Sequence, residues 1–377
     1  MNQLRNAVIE SVVGLHRWRL ASAGEHAGLG LDPYRPGEAH HYPEAYALWG
    51  RGYRKLAQLL GDSSYLECSR AAADWLLANT SPAYADPSWG LPWPWERWSA
   101  PASLSYLVTS AFCGSFLLHL HASTNTDAYL EAARGIARWM VSSNGGVEGP
   151  AGAWLYYANS PGLHLPVVNA NAIAAGFLAR LWLLAGDDHA RQMCEAITLW
   201  IIDQQKPDGR WAYRSDREWV DNVHTGYTLE GLLEVRNALG DIAPLGVVGR
   251  GLTFYWGSLF REDGKGWEQL PSERTARIGF HPRKWLRDTL ADAGAIQRPR
   301  LETRLWGYAA AIRAFSMAGA ADPRGLERAA RVFEFIRLNL RNTDGSYAFR
   351  TGQPTAYIRH QAHLFDALVH FGSALPS

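Results

Sequence analysis

Asp221 and His224 stand three residues apart in the stretch DGRWAYRSDREWVDNVHTGY, residues 208–227. That spacing lets a carboxylate and an imidazole meet over one turn of helix. An imidazole held by a carboxylate titrates near neutral pH and suits proton transfer to and from a substrate. Asp221 also reads as a helix cap, because an Asp before an apolar run accepts backbone N–H groups. Tyr227, one turn further on, adds a phenol to the proton-carrying candidates, and Glu96 in WPWERW (residues 93–98) adds a second carboxylate. Paired carboxylates about 5–10 Å apart are what a glycosidase needs, and Glu96 with Asp221 is the pair this chain offers. An epimerase or lyase requires only a His or Tyr base and an arginine clamp, for which Arg304 or Arg359 serves. Asp221 and His224 lack a third metal ligand nearby in sequence, so the reading is of a metal-free site. Walker, Rossmann and GxSxG motifs are missing from the sequence, and no cofactor is expected.

Such residues need elements to hold them, and the chain supplies two alternating kinds of segment. One is amphipathic: in AYLEAARGIARWMVSSN, Leu130, Ala133, Ile136, Ala137 and Met140 follow the spacing of a helix with one buried face. The other opens on a polar and aromatic cluster and then turns apolar and rich in Ala and Gly, as in VVNANAIAAGFLARLWLLAG. Helices apolar on more than one side are buried on more than one side. Six copies of each, spaced by glycine turns followed by an aromatic such as KPDGRW, predict an all-α (α/α)6 toroid: six helical hairpins around a central cavity, one domain over residues 1–377.

In such a ring the beginnings of the inner helices share one mouth. The polar clusters there are His41; Trp93, Trp95, Glu96 and Trp98; Tyr157, Asn169 and Asn171; Asp221, His224 and Tyr227; Arg304 and Trp306; Tyr357, Arg359 and His360. Trp93, Trp95, Trp98 and Trp306 are expected to stack on sugar rings. Because the fourth and sixth inner helices both face the axis, Asp221 and His224 are expected within one hydrogen-bonded relay of Tyr357 or Arg359.

The chain holds 37 basic and 36 acidic residues, so no overall field favours nucleic acid. Cys68, Cys113 and Cys194 are odd in number and lie in apolar helical settings, which reads as reduced thiols in a cytoplasmic protein. Charges at Arg5, Glu10 and Arg17 break the N-terminal apolar run, so neither a signal peptide nor a membrane span is expected there. One connection, residues 261–300, is nearly twice as long as its equivalents. Arg274, Arg277, Arg283, Lys284, Arg287, Arg298 and Arg300 face only three acids in its last thirty residues. A basic lid over an aromatic cavity implies an anionic sugar.

QQKPDGRW (residues 204–211) resembles the repeat turn of the toroid superfamily that includes terpene cyclases and prenyltransferase β-subunits, although the acidic motif and the zinc set of those enzymes have no counterpart here. DNVHTGYTLEGLLE and YIRHQAHLFDAL resemble segments of toroid proteins from bacterial exopolysaccharide biosynthesis clusters, with His360 and His363 in place of aromatics. GGVEGPAGAWLYY followed by VVNANAIAAGFLARL is similar to the C-terminal domain of glucuronyl C5-epimerases. These resemblances imply glycan chemistry in a toroid cavity. The expectation is an enzyme that modifies or cleaves a bacterial polysaccharide or its anionic precursor. The alternatives are an isoprenoid cyclase or prenyltransferase, or a non-catalytic glycan-binding component of a polysaccharide synthesis complex.

Overall fold

The computed structural model describes residues 2–270 and 300–376. Six helical pairs run in chain order through them. The outer helices are α1 (Asn2–Ala23), α3 (Ser64–Ala78), α5 (Asp127–Trp139), α7 (Asp188–Asp203), α9 (Leu245–Leu259) and α11 (Gly325–Asn339). The inner helices are α2 (Pro43–Leu60), α4 (Leu107–Thr124), α6 (Val168–Ala185), α8 (Asn222–Leu239), α10 (Leu305–Met317) and α12 (Ile358–Ala374). Each inner helix packs on the next, α12 returns onto α2, and α1 packs on α12. Contact between the first and last elements is what separates a closed toroid from an open solenoid.

The small residues of the inner helices explain how closely the ring is drawn together. At Gly231 of α8 a Cβ would fall 2.1 Å from the Ala172 carbonyl of α6, so only glycine lets these two backbones meet. Outer helices present one buried stripe, as Ala133, Ile136 and Ala137 do on α5. After α7, Gly209 takes φ +94° and turns the chain. Trp211 then plugs the gap with its indole N–H on the Ile201 carbonyl at 2.9 Å, as the glycine-aromatic pattern predicts. Helix α6 is long and apolar enough to cross a membrane, but it is an inner helix, buried against its neighbours in the ring.

At the mouth a repeated bond ties neighbouring sectors. The first N–H of α4 donates to Tyr157 O, that of α6 to Tyr213 O, that of α8 to Glu268 O and that of α10 to Phe349 O, all at 2.9–3.0 Å. Each bond satisfies a helix-start donor that lacks an intrahelical acceptor, and it seats the donor's neighbour loop over the cavity. Two short hairpins lie outside the all-helical expectation. Strands β1 (Leu29–Asp32) and β2 (Arg35–His41) pair in one, and β3 (Gly146–Gly149) and β4 (Gly152–Leu155) in the other. Both sit within interhelical connections, which the helix-period reading treats as turns. Of the basic connection, residues 271–299 lie outside the described residues.

Candidate active site

Asp221 precedes α8 in an extended conformation, and its Oδ1 accepts the His224 backbone N–H at 2.9 Å. Its Oδ2 is bonded to His224 Nδ1. One carboxylate therefore both caps the helix and orients the imidazole, so the two readings of this Asp are not alternatives. The Asp221 side chain is 3% exposed and that of His224 22%. The ring rests on Tyr213 and Trp219, with centroids 4.4 and 5.8 Å away. With Nδ1 taken, Nε2 is the nitrogen left to exchange a proton, and it has no hydrogen-bond partner among the described residues.

A second carboxylate–imidazole pair joins the two ends of the ring. Glu44, at the second position of α2, accepts from His363 Nε2 of α12 at 2.8 Å. Its other oxygen faces Arg359 Nη1 at 3.4 Å, and Arg359 Nε donates to Asp32 Oδ2 at 2.6 Å. The Tyr227 hydroxyl lies 2.8 Å from the same His363 nitrogen and accepts the Trp306 indole N–H. Burial alone would raise the Glu44 pKa, but the hydrogen bond and charge of His363 and the charge of Arg359 outweigh it and hold the carboxyl below its ordinary value. Burial pushes the Tyr227 phenol well up, so it stays protonated.

A third cluster belongs to α10. Glu268 accepts the Arg304 backbone N–H at 3.0 Å and Arg350 Nη2 at 2.9 Å, and the Arg304 guanidinium is 3.4 Å from its other oxygen. Arg304 and Arg359 both lie over the Trp306 ring, 5.5 and 5.0 Å from its centroid. Beside them His360 is 1% exposed and neither ring nitrogen has a partner among the described residues. Burial first, then the charges of Arg304 and Arg359, push its pKa well below the ordinary value, so this imidazole is neutral.

The remaining expected residues divide. Tyr157 carries a phenol that burial keeps protonated, with Tyr213, Tyr106 and Glu44 as charged or titratable neighbours. Asn169 is 4% exposed with its side-chain oxygen unpaired. Tyr357 packs edge-on against Phe349 and His360. Trp95 and Trp98 are half-buried in a small cluster with Tyr106, Ala158 and Leu163, an aromatic wall between the rim and Tyr157.

Six expectations need correction. Glu96 is 69% exposed and paired with Arg35 at 2.7 Å. A backbone hydrogen bond, then Arg35, holds its carboxyl below the ordinary value, which is wrong for a proton donor. Asn171 spends its amide on the backbone of Leu155 and Val167. His41 bonds the Tyr46 hydroxyl at 2.8 Å and stacks on Trp75 of an outer helix. Trp306 is a buried wedge against His363, and Trp93 is buried against Tyr42, so neither is an open stacking platform. The chain of bonds from α8 to α12 starts at Tyr227, not at His224, whose side-chain contacts stay within its own sector.

Asp32, Glu44, Glu268 and Arg350 complete the site without standing among the expected residues, whereas His363 is offered by the sequence beside His360. A signal existed for Glu268: it occupies the place in its loop that Tyr157 and Tyr213 occupy in theirs, its carbonyl accepting the first N–H of the preceding inner helix. Glu44 offered a weaker one, an acid in the first turn of an inner helix.

No protein-family model matches the chain, and no curated protein matches it in sequence. Solved structures do match it. Cellobiose 2-epimerase from Bacillus thermoamylovorans superposes with a TM-score of 0.69 at 12% identity, covering 98% of this chain and 99% of that one. A GH76A α-1,6-mannanase from Salegentibacter gives 0.69 at 13% identity over 99% and 100%. A polysaccharide lyase gives 0.65 at 9% identity over 97% of each. At these identities the likeness is one of fold, and the fold this chain shares with them from end to end is the α/α toroid.

Proposed function

We propose that the protein is a carbohydrate-active enzyme that moves protons with imidazole, an epimerase or a lyase, at the mouth of the ring. The structural neighbours act on sugars by epimerisation, hydrolysis or elimination, so fold alone does not choose among the three. One observation supports the choice. At the mouth Asp32, Glu44, Asp221 and Glu268 are each bound to an arginine or a histidine, while among the described residues His224 keeps one nitrogen free. Hydrolysis by a carboxylate pair needs a carboxyl free to protonate the leaving group, and each of these four already spends an oxygen on an arginine or histidine side chain.

In this reading Asp221 sets the tautomer of His224, and His224 gives or takes the proton. Epimerisation needs a second carrier on the other face of the sugar, and the partly exposed Tyr157 phenol is the group available. Arg304, Arg350 and Arg359 are neutralised by Glu268, Asp32 and Glu44, which favours a neutral sugar over the anionic one that the basic connection implies. The isoprenoid alternative expects a deep apolar pocket closed by one acid, and the charged groups that α2, α8, α10 and α12 bring to the mouth do not fit it.

The test is incubation with neutral and acidic oligosaccharides in D2O, followed by NMR. Deuterium entering a carbon position without chain cleavage, and lost in His224→Ala, is expected for an epimerase. An unsaturated product identifies the lyase. New reducing ends without exchange overturn the proposal in favour of hydrolysis, and binding without any reaction overturns it in favour of a binding protein.

A further inference from the structure

The inner helices carry two more charged layers below the mouth. Arg51, Glu230, Arg313 and Asp366 are each the ninth residue of their helix, α2, α8, α10 and α12. They bond across the axis: Arg51 to Asp366 at 2.6 Å and Glu230 at 3.0 Å, and Arg313 to Glu230 at 3.3 Å. One turn lower, at the thirteenth position, stand Lys55, His119, Arg180, Glu234 and His370, with Arg54 beside them. Glu234 is taken by Arg180 at 2.5 Å and Arg313 at 3.3 Å.

The two layers are not balanced. Five cations, Arg51, Arg54, Lys55, Arg180 and Arg313, meet three acids, Glu230, Glu234 and Asp366, and all three acids already hold arginines. Neither Arg54 nor Lys55 has a carboxylate within 4.0 Å among the described residues. Arg54 bonds only to neutral oxygens, Gln58 at 3.2 Å and Ser123 at 3.1 Å, and Lys55 to His370 Nδ1 at 3.0 Å. Arg54 Nε, Arg180 Nε and His119 Nε2 are without partners. Arg54, Lys55, His119, Arg180 and His370 are all partly exposed, so the surplus faces solvent at the end of the ring opposite the mouth. Burial, then Arg180, lowers Arg54 to about 10; burial, then Arg313, lowers Lys55 to about 8. Crowded cations destabilise one another, and a bound anion relieves them. The partial negative charge of the helix C-termini fades within the last turn, and Arg54 lies six residues before the end of α2.

We infer that the far end of the ring is an anion site, built by Arg54, Lys55, His119 and Arg180, for the oxygens of a phosphate group, free or carried on a sugar. Guanidinium and ammonium donors around one position suit a tetrahedral oxyanion better than a planar neutral ligand. The site is separate from the mouth and does not rest on the reaction proposed there.

The experiment is a thermal-shift and calorimetric titration of the whole chain with inorganic phosphate and, in parallel, a hexose phosphate, against chloride at equal ionic strength. A saturable rise in Tm at millimolar ligand is expected, and the tighter ligand names the source. Arg54→Gln and Lys55→Gln, which leave no carboxylate unpaired, are each expected to weaken binding about tenfold or more, while His224→Ala at the mouth leaves it unchanged. Lys55 loses its charge near pH 8, so binding is expected to weaken between pH 7 and pH 9 in wild type and not in Lys55→Gln. No saturable effect beyond chloride, or an effect undiminished in both variants, overturns the site and leaves only the general stabilisation that phosphate gives by exclusion from protein surfaces.

Discussion

The mouth holds two carboxylate–imidazole pairs that differ in almost everything except their chemistry. Asp221 and His224 are three residues apart on one helix, and the His224 side chain is 22% exposed. Glu44 and His363 are 319 residues apart, on the first and last inner helices, with side chains 7% and 5% exposed. The open pair can exchange protons with a ligand, whereas the closed one is sealed by Tyr227, Trp306 and Phe112. A carboxylate beside a histidine is therefore not by itself a catalytic signature. Access decides, and here the local pair has it while the long-range pair fastens α2 to α12.

The comparison is broken or sharpened by separating activity from stability. His224→Ala is expected to lower turnover by about 10²–10⁴-fold, the range for loss of a general acid or base, with the melting temperature unchanged. Wild-type turnover in that variant would reduce the open pair to packing. Glu44→Ala should do the reverse, costing about 3–5 kcal/mol of folding free energy because Arg359 and His363 lose a buried counter-charge. Urea unfolding measures it, and a loss below about 1 kcal/mol would show that the closed pair does not fasten the ring.

Asp221→Asn divides the two roles of one residue. Asn caps a helix nearly as well as Asp, so stability is expected within about 1 kcal/mol of wild type. The imidazole loses the charge that orients it, and turnover is expected to fall by about tenfold or more. Equal turnover would leave capping as the whole function of Asp221.

The closed pair also predicts a pH limb. Glu44 is held below its ordinary value of 4.5 in the folded chain. Its contribution is thus complete above that pH and is lost as pH falls through the lower folded value. Glu44→Gln should flatten stability against pH below about 4.5 relative to wild type, and parallel curves would sink the assignment. The smallest effect belongs to Glu96→Gln on the rim, with stability and turnover both near wild type. A large loss of turnover there would return Glu96 to the mechanism.

Legibility followed sequence distance. Asp221 and His224 could be read because helical spacing alone brings them together. Trp211 could be read because its loop repeats in other sectors. Glu44, Asp32 and Arg359 could not, since no local pattern says which residue 327 positions away will face Asp32. Trp93 and Trp306 misled for the opposite reason. An aromatic in or just after the connection that leads to an inner helix has one sequence pattern whether its face is open to a ligand or covered by a neighbouring ring.

Periodicity, small residues at helix contacts and glycine turns with a following aromatic determined the toroid by themselves. Each is a local constraint repeated six times, and a ring is the sum of such constraints. The tertiary structure decided which polar groups remain free. That outcome depends on how cations and acids from different helices neutralise one another at the mouth and fail to do so at the far end. A chain read one segment at a time contains the charges but not the distances between them, and Coulomb energy is set by distance.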